Sequence, residues 1–110
     1  PAADGKLDNV SMYIYVANYT GTVRVNGREF KAFEEERDMQ YNYNAFGDDF
    51  FQFGENTIEV DYAPLPDLPA DHWLLKIHLK VSRGDTVLGE WEIKERTAGS
   101  ETFTLVIPQQ

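Results

Sequence analysis

The most regular pattern along the chain is the segment 72–81, in which apolar and polar residues alternate. Its apolar residues recur at every second position: Trp73, Leu75, Ile77, Leu79 and Val81. Successive side chains of a strand point to opposite faces, so this pattern is typical of a strand with one buried face. We predict a central strand here, with the other strands arranged around it.

The N-terminal part of the chain predicts a strand and a hairpin. Alternation from Val10 to Val16 predicts a first strand, whose second face carries Tyr13 and Tyr15 instead of charged residues. Asn26-Gly27 then separates two short segments predicted as strands, 22–25 and 28–33. Both central residues of a type I′ turn need positive φ, which Asn and Gly adopt readily, so this pair predicts a two-residue hairpin.

The same reasoning divides the rest of the chain. Prolines 64, 66 and 69 remove donors from a hydrogen-bond ladder, so residues 63–70 are predicted as an extended crossover loop. From Val87 onward, Val87, Gly89, Trp91 and Ile93 are predicted to point inward. The further strands are predicted over 40–46, 57–62, 87–95 and 103–107, with turns at 47–49, 54–56 and 82–86. Short strands between frequent turns predict an all-β fold, a two-layer antiparallel β-sandwich of about seven or eight strands.

Composition narrows the classes of partner. The chain has 110 residues, enough for one domain, and no cysteine, which excludes disulfides, thiolate catalysis and cysteine-ligated metal sites. A net charge of −9 repels phosphate backbones, so we expect no nucleic acid partner. The apolar runs are far shorter than the roughly 20 residues of a spanning helix, so we expect no membrane insertion.

The N-terminal residues predict a short extension. Residues 1–8 are small and polar and are predicted as a flexible lead-in, with a single β-sandwich domain over residues 9–110. The start, residues 1–5, suits a mature end left after cleavage at small residues. We therefore favour a periplasmic or extracellular location.

The chain offers no recognisable catalytic constellation. Its serines lack a Gly-x-Ser-x-Gly setting. His72 and His78 lie six positions apart on one predicted strand, roughly 20 Å at the usual rise, which is too far to share a metal ion. We predict a non-enzymatic protein without a cofactor; calcium is the alternative, through loop carboxylates among Asp48, Asp49, Asp61, Asp67 and Asp71.

Aromatic residues are the remaining candidates for function. Tyr13 and Tyr15 lie opposite the aliphatic face of the first strand, and Tyr41 and Tyr43 belong to an aromatic segment that reaches Phe53. On a strand face that is expected to be exposed to solvent, such residues indicate a surface that binds a partner, a surface that binds a ligand, or a second layer of core. We take these four tyrosines as the candidate binding residues and leave the three interpretations open.

Two short motifs suggest a family. Val23-Arg24-Val25-Asn26-Gly27 followed by Gly54-Glu55-Asn56-Thr57-Ile58-Glu59-Val60 resembles the VNG and GEN-x-I-x-V pattern of galactose-binding-like accessory β-sandwich domains, such as those attached to glycoside hydrolases. The resemblance covers about a third of the chain and implies a jelly-roll-type sandwich. It transfers no sugar-binding residue to this sequence, and an immunoglobulin-like topology is the alternative.

Three functional hypotheses follow. The first is a non-catalytic binding module that contacts a protein or a carbohydrate through an aromatic-bearing face. The second is a structural domain that acts through self-association, as a homodimer paired along an edge strand or an apolar face. The third is a metal-dependent hydrolase, which is the least favoured because the sequence contains no recognisable set of catalytic residues.

Overall fold

A computed structural model describes residues 7, 9–34, 40–66 and 75–108. These residues form eight strands and no helix, in two four-stranded antiparallel sheets. The strands are β1 Val10–Ala17, β2 Tyr19–Val25, β3 Arg28–Glu34, β4 Gln40–Phe46, β5 Gly54–Pro64, β6 Lys76–Arg83, β7 Thr86–Ile93 and β8 Gly99–Ile107. Sheet 1 has the order β4-β1-β6-β7 and sheet 2 the order β3-β2-β5-β8. The predicted β-sandwich is confirmed.

The strand predicted to organise the fold is β6. It lies between β1 and β7 in sheet 1, so its central position is confirmed from Lys76 onward. The predicted residues 72–74, with His72 and Trp73, lie outside the described part of the chain. Ile77, Leu79 and Val81 are buried and face sheet 2, as the alternation predicts.

The chain crosses from sheet 1 to sheet 2 at Asn18. It is the single residue between β1 in sheet 1 and β2 in sheet 2, and it has a φ of 64°. Asparagine is one of the few non-glycine residues that adopt this left-handed conformation readily. The Asn18 carbonyl accepts a hydrogen bond of 2.9 Å from the Leu65 N–H, which ties the end of β5 to this corner. The second strand therefore begins at Tyr19, three residues before its predicted start.

The Asn-Gly hairpin is confirmed. Asn26 and Gly27 have φ values of 51° and 83°, and the flanking residues Val25 and Arg28 are register partners. Strand β4 also has its predicted bounds, 40–46, and is followed by the predicted turn around Asp48.

Several predictions at strand ends are wrong. Strand β5 continues through Ala63 and Pro64, which belong to the predicted crossover loop 63–70, and β8 begins at Gly99, four residues before its predicted start. The inward position predicted for Val87 fails because the register between β6 and β7 shifts after Val81, so Val87 pairs with Ser82 on the outer face and is 52% exposed. Shifting a strand by one residue moves its side chains to the other face, which is the effect of this bulge. The predicted turn 54–56 is instead the start of β5, and Asn56 is buried within it.

The core fills the space between the two sheets. Its fully buried large side chains come from four central strands and from the end of β8: Met12, Ile14, Tyr19, Ile58, Ile77, Leu79 and Ile107. Aromatic pairs close the two open sides of the sandwich. Trp91 on β7 stacks on Phe103 of β8 with ring centroids 5.1 Å apart, and Phe30 on β3 meets Tyr43 of β4 at 6.1 Å.

Candidate functional site

The outer face of sheet 1 carries two of the four candidate tyrosines, and we call it the tyrosine face. Along each strand of sheet 1, the residues of this face alternate with residues that point into the core. The registers of β1 with β4, β1 with β6 and β6 with β7 bring the outward residues side by side. The face consists of Ser11, Tyr13 and Tyr15 from β1, Asn42, Asn44 and Phe46 from β4, Lys76, His78, Lys80 and Ser82 from β6, and Val87, Glu90 and Glu92 from β7.

Tyr13 is half-buried at the centre of this face. Its hydroxyl donates a hydrogen bond to the Asn42 side-chain oxygen on β4. The edge of its ring meets the His78 ring, with centroids 6.0 Å apart and planes at 81°. Lys80 Nζ lies 5.9 Å from the ring centroid. Contacts on both neighbouring strands therefore hold the ring in a defined position.

Tyr15 lies two residues along the same strand and has fewer contacts. Lys76 Nζ lies 5.9 Å from its ring centroid. No hydrogen bond joins the Tyr15 hydroxyl to any other described residue. This hydroxyl is available to a ligand.

The charged residues of the tyrosine face are largely paired with one another. Lys76 Nζ lies 3.0 Å from a Glu92 carboxylate oxygen, and this hydrogen bond is the main cause that lowers the pKa of Glu92. His78 Nε2 lies 2.6 Å from a Glu90 carboxylate oxygen. Lys76 and Lys80 on β6 balance Glu90 and Glu92 on β7, so the face has no excess of either sign.

Apolar side chains are exposed at both margins of this face. Phe46 on β4 is 74% exposed and Val87 on β7 is 52% exposed. They belong to one row of the sheet, with Ser11 and Ser82 between them. Four strands at about 4.8 Å spacing place the two margins about 14 Å apart. In this row, two exposed apolar side chains flank the small hydroxyl residues.

Several polar groups next to these apolar residues have no partner within the described chain. The side chains of Ser11, Ser82 and Asn44 make no hydrogen bond to another described residue. Together with the Tyr15 hydroxyl, they provide donors and acceptors beside aromatic and aliphatic surface. The sequence alone did not predict this row, because Phe46, Ser82 and Val87 come together only through the strand order and the bulge.

The structure separates the candidate Tyr43 from this pair. Tyr43 pairs in register with the core residue Ile14, and its ring packs against Phe30 at the open side of the sandwich. Lys31 Nζ lies 4.6 Å from its centroid. Tyr41 is the register partner of Val16, and its side chain lies outside the described residues.

The outer face of sheet 2 has a different electrostatic character. Arg24 Nη2 lies 2.6 Å from Asp61, whose other carboxylate oxygen accepts a hydrogen bond from the Ser100 hydroxyl. These two donors, Ser100 first, lower the pKa of Asp61. Glu55 and Glu59 lie on the same face of β5 as Asp61. Acidic residues thus outnumber the basic residue here, in contrast to the balanced tyrosine face.

No family model, curated protein or solved structure matches the chain. The likeness to galactose-binding-like domains therefore stays a prediction. Its two motifs do meet in space, because Asn26 Nδ2 donates a hydrogen bond of 2.9 Å to Asn56 Oδ1. Both asparagines are engaged within the protein, which gives the motifs a structural role.

No metal-binding cluster occurs in the part of the chain that the structure describes. Three or more His, Asp or Glu side chains with suitable geometry do not converge there. Asp48 accepts a hydrogen bond of 2.8 Å from the Val10 N–H, and Asp61 is engaged as above. Asp67, Asp71 and His72 lie outside the described residues, so the calcium alternative stays a prediction.

None of the described residues belongs to a helix long and apolar enough to cross a membrane.

Proposed function

We propose that this domain is a non-catalytic binding module that contacts a protein or a carbohydrate through the tyrosine face. The observation that carries the proposal is the juxtaposition of aromatic and aliphatic surface with polar groups that have no partner within the described chain. Tyr13 and Tyr15 supply apolar area with little loss of side-chain freedom, and Ser11, Ser82 and Asn44 supply hydrogen bonds that fix orientation.

Electrostatics support this choice of surface. On the tyrosine face, Lys76 and Glu92 place opposite charges side by side, and His78 is hydrogen-bonded to Glu90. A neutral ligand or partner therefore meets no excess charge there. The outer face of sheet 2 concentrates carboxylates and is the less favourable docking surface for the many proteins that are themselves acidic.

The test uses glycan arrays and pull-downs with the whole domain, followed by the variant Tyr15→Ala. Removal of a central aromatic anchor is expected to weaken binding by roughly tenfold or more. Tyr15→Phe keeps the ring and removes only the hydroxyl, so it separates stacking from hydrogen bonding. Thr57→Ala, on the outer face of sheet 2, is the matched control and is expected to bind as the unchanged domain does.

The two arms of the experiment also decide the class of ligand. Binding to a glycan that depends on Tyr15 identifies a carbohydrate module, and binding to a purified protein that depends on Tyr15 identifies a protein module. A ligand whose affinity is unchanged in both Tyr13→Ala and Tyr15→Ala would contradict the proposal. Blank results in both arms would contradict it as well.

A further inference from the structure

The sandwich has four edge strands, and they are protected to different degrees. Strands β3 and β7 each contain a bulge relative to their neighbour and carry several charged side chains. Bulges and charges are devices that prevent an edge from pairing with another chain. The edges β4 and β8 have continuous registers with their neighbours and no such bulge.

Strand β8 is the longer and more regular of the two unprotected edges. It has nine residues, all of them in continuous antiparallel register with β5. Its only charged residue is Glu101, and it contains no proline or lysine. In an antiparallel strand alternate residues direct their N–H and C=O groups to opposite sides, so half of this backbone faces away from β5. No strand among the described residues pairs with that side, which makes it a template for another strand.

An apolar pair lies beside this edge. Trp91 and Phe103, stacked at 5.1 Å, are only half-buried, although their neighbour Leu105 is buried. The pair is at the open side of the sandwich between β7 and β8. A strand added to β8 would cover both rings and remove further apolar area from water.

We propose that a second copy of this chain pairs with β8 in antiparallel fashion, around a two-fold axis at Phe103. This register is self-complementary. It places Thr102 opposite Thr104 of the second copy, and Glu101 opposite Leu105 of the second copy. Threonine pairs across antiparallel strands are favourable, and no like charges face each other directly.

The net charge of −9 does not oppose this pairing strongly. In the proposed register the two Glu101 side chains lie four residues apart along the strands, about 13 Å, and the two β5 strands lie about 14 Å apart. Both separations exceed the Debye length of about 10 Å at 0.1 M salt. The dimer is therefore expected to weaken only at low salt, where the Debye length grows to about 30 Å at 0.01 M.

The interface is separate from the tyrosine face, so either inference can fail alone. A two-fold axis perpendicular to sheet 2 leaves the outer faces of sheet 1 uncovered and directs both to the same side. Two tyrosine faces would then be presented to one surface, which raises the avidity for a repeated ligand.

Sedimentation equilibrium over a range of protein concentrations is the first test. The unchanged domain is expected to show a reversible monomer–dimer equilibrium. The double variant Thr102→Lys with Thr104→Lys sets lysine opposite lysine in the dimer and is expected to weaken it by roughly tenfold or more. The control, Thr22→Lys with Thr57→Lys, adds the same charges to interior strands of the same outer face and is expected to dimerise as the unchanged domain does.

Cross-linking tests the register, and the absence of native cysteine makes its result unambiguous. A mixture of the single variants Thr102→Cys and Thr104→Cys is expected to form a mixed disulfide faster than either variant forms a disulfide with itself, since residues that pair directly are within disulfide reach. Preferred cross-linking of Thr104→Cys to Asn42→Cys on β4 would show head-to-tail pairing and overturn the proposal. A single monomeric species at every concentration would also overturn it.

Discussion

Replacing Asn56 with alanine is expected to lower the free energy of unfolding by about 4 kcal/mol. The Asn56 side chain is fully buried and makes four hydrogen bonds. Its Nδ2 donates to the carbonyls of Gln52 and Gly54, at 2.8 and 3.1 Å. Its Oδ1 accepts from Gln52 N and Asn26 Nδ2, both at 2.9 Å. Alanine removes all four bonds. Their partners belong to the exposed residues Asn26 and Gln52 and to the half-buried Gly54, so we expect each lost bond to cost about 1 kcal/mol, the net value of an ordinary hydrogen bond.

The loss is expected to spread because Asn56 connects two turns. Asn26, in the β2–β3 hairpin, also donates to the Phe50 carbonyl at 2.9 Å and accepts from the Thr57 N–H at 2.9 Å. The segment between β4 and β5 is thus fixed to the hairpin through the two asparagines. Removing Asn56 frees that segment and weakens the packing of Phe50 and Phe51 against the core.

Urea unfolding followed by tryptophan fluorescence measures this effect. Asn44→Ala is the matched control, because it removes the same amide from an exposed strand position that has no hydrogen-bond partner among the described residues. The control is expected to change the free energy of unfolding by less than about 0.5 kcal/mol. Equal losses in the two variants would show that the network around Asn56 does not stabilise the fold.

Asn56 also shows how a sequence pattern can be read in two ways. Gly54-Glu55-Asn56 has the composition of a turn, which is why the strand is predicted to begin only at Thr57. Yet Asn56 continues the inward phase of Ile58 and Val60 at a spacing of two. A polar residue that continues the two-residue spacing of buried apolar residues indicates a buried side chain that forms hydrogen bonds. The sequence already contained this pattern.

Other features could not be predicted from local pattern. Alternation correctly places Tyr13 and Tyr15 opposite the core residues of β1, because strand geometry alone decides it. The bulge that turns Val87 outward depends on how β7 pairs with β6, and no residue near Val87 specifies it. Phe46 reaches the same face through the pairing of β4 with β1, which is set by the tertiary fold. The sequence therefore predicts the position of the two tyrosines at the centre of the candidate site. The positions of Phe46 and Val87 at its margins could be learned only from the structure.

Replacing Gly21 with alanine is expected to destabilise the fold by about 3 kcal/mol. Gly21 lies on β2 beside β5, in a row that continues through Tyr62 to Gly99 on β8. A Cβ added at Gly21 would lie 2.0 Å from the Asp61 carbonyl oxygen and 3.0 Å from the Asp61 carbonyl carbon. Both atoms belong to the backbone of a central strand, so β2 and β5 would have to move apart and stretch their hydrogen bonds.

Gly99→Ala is the matched control for Gly21→Ala, since it adds the same methyl group on the other side of Tyr62. There the new Cβ would lie 3.1 Å from the Tyr62 hydroxyl oxygen and 3.4 Å from its Cζ, atoms at the end of a side chain. Tyr62 can shift by a few tenths of an ångström, and β8 is an edge strand. Thermal or urea unfolding is therefore expected to show a change of less than about 1 kcal/mol for Gly99→Ala. If both variants were equally stable, the close approach of β2 and β5 would not be what requires glycine at position 21.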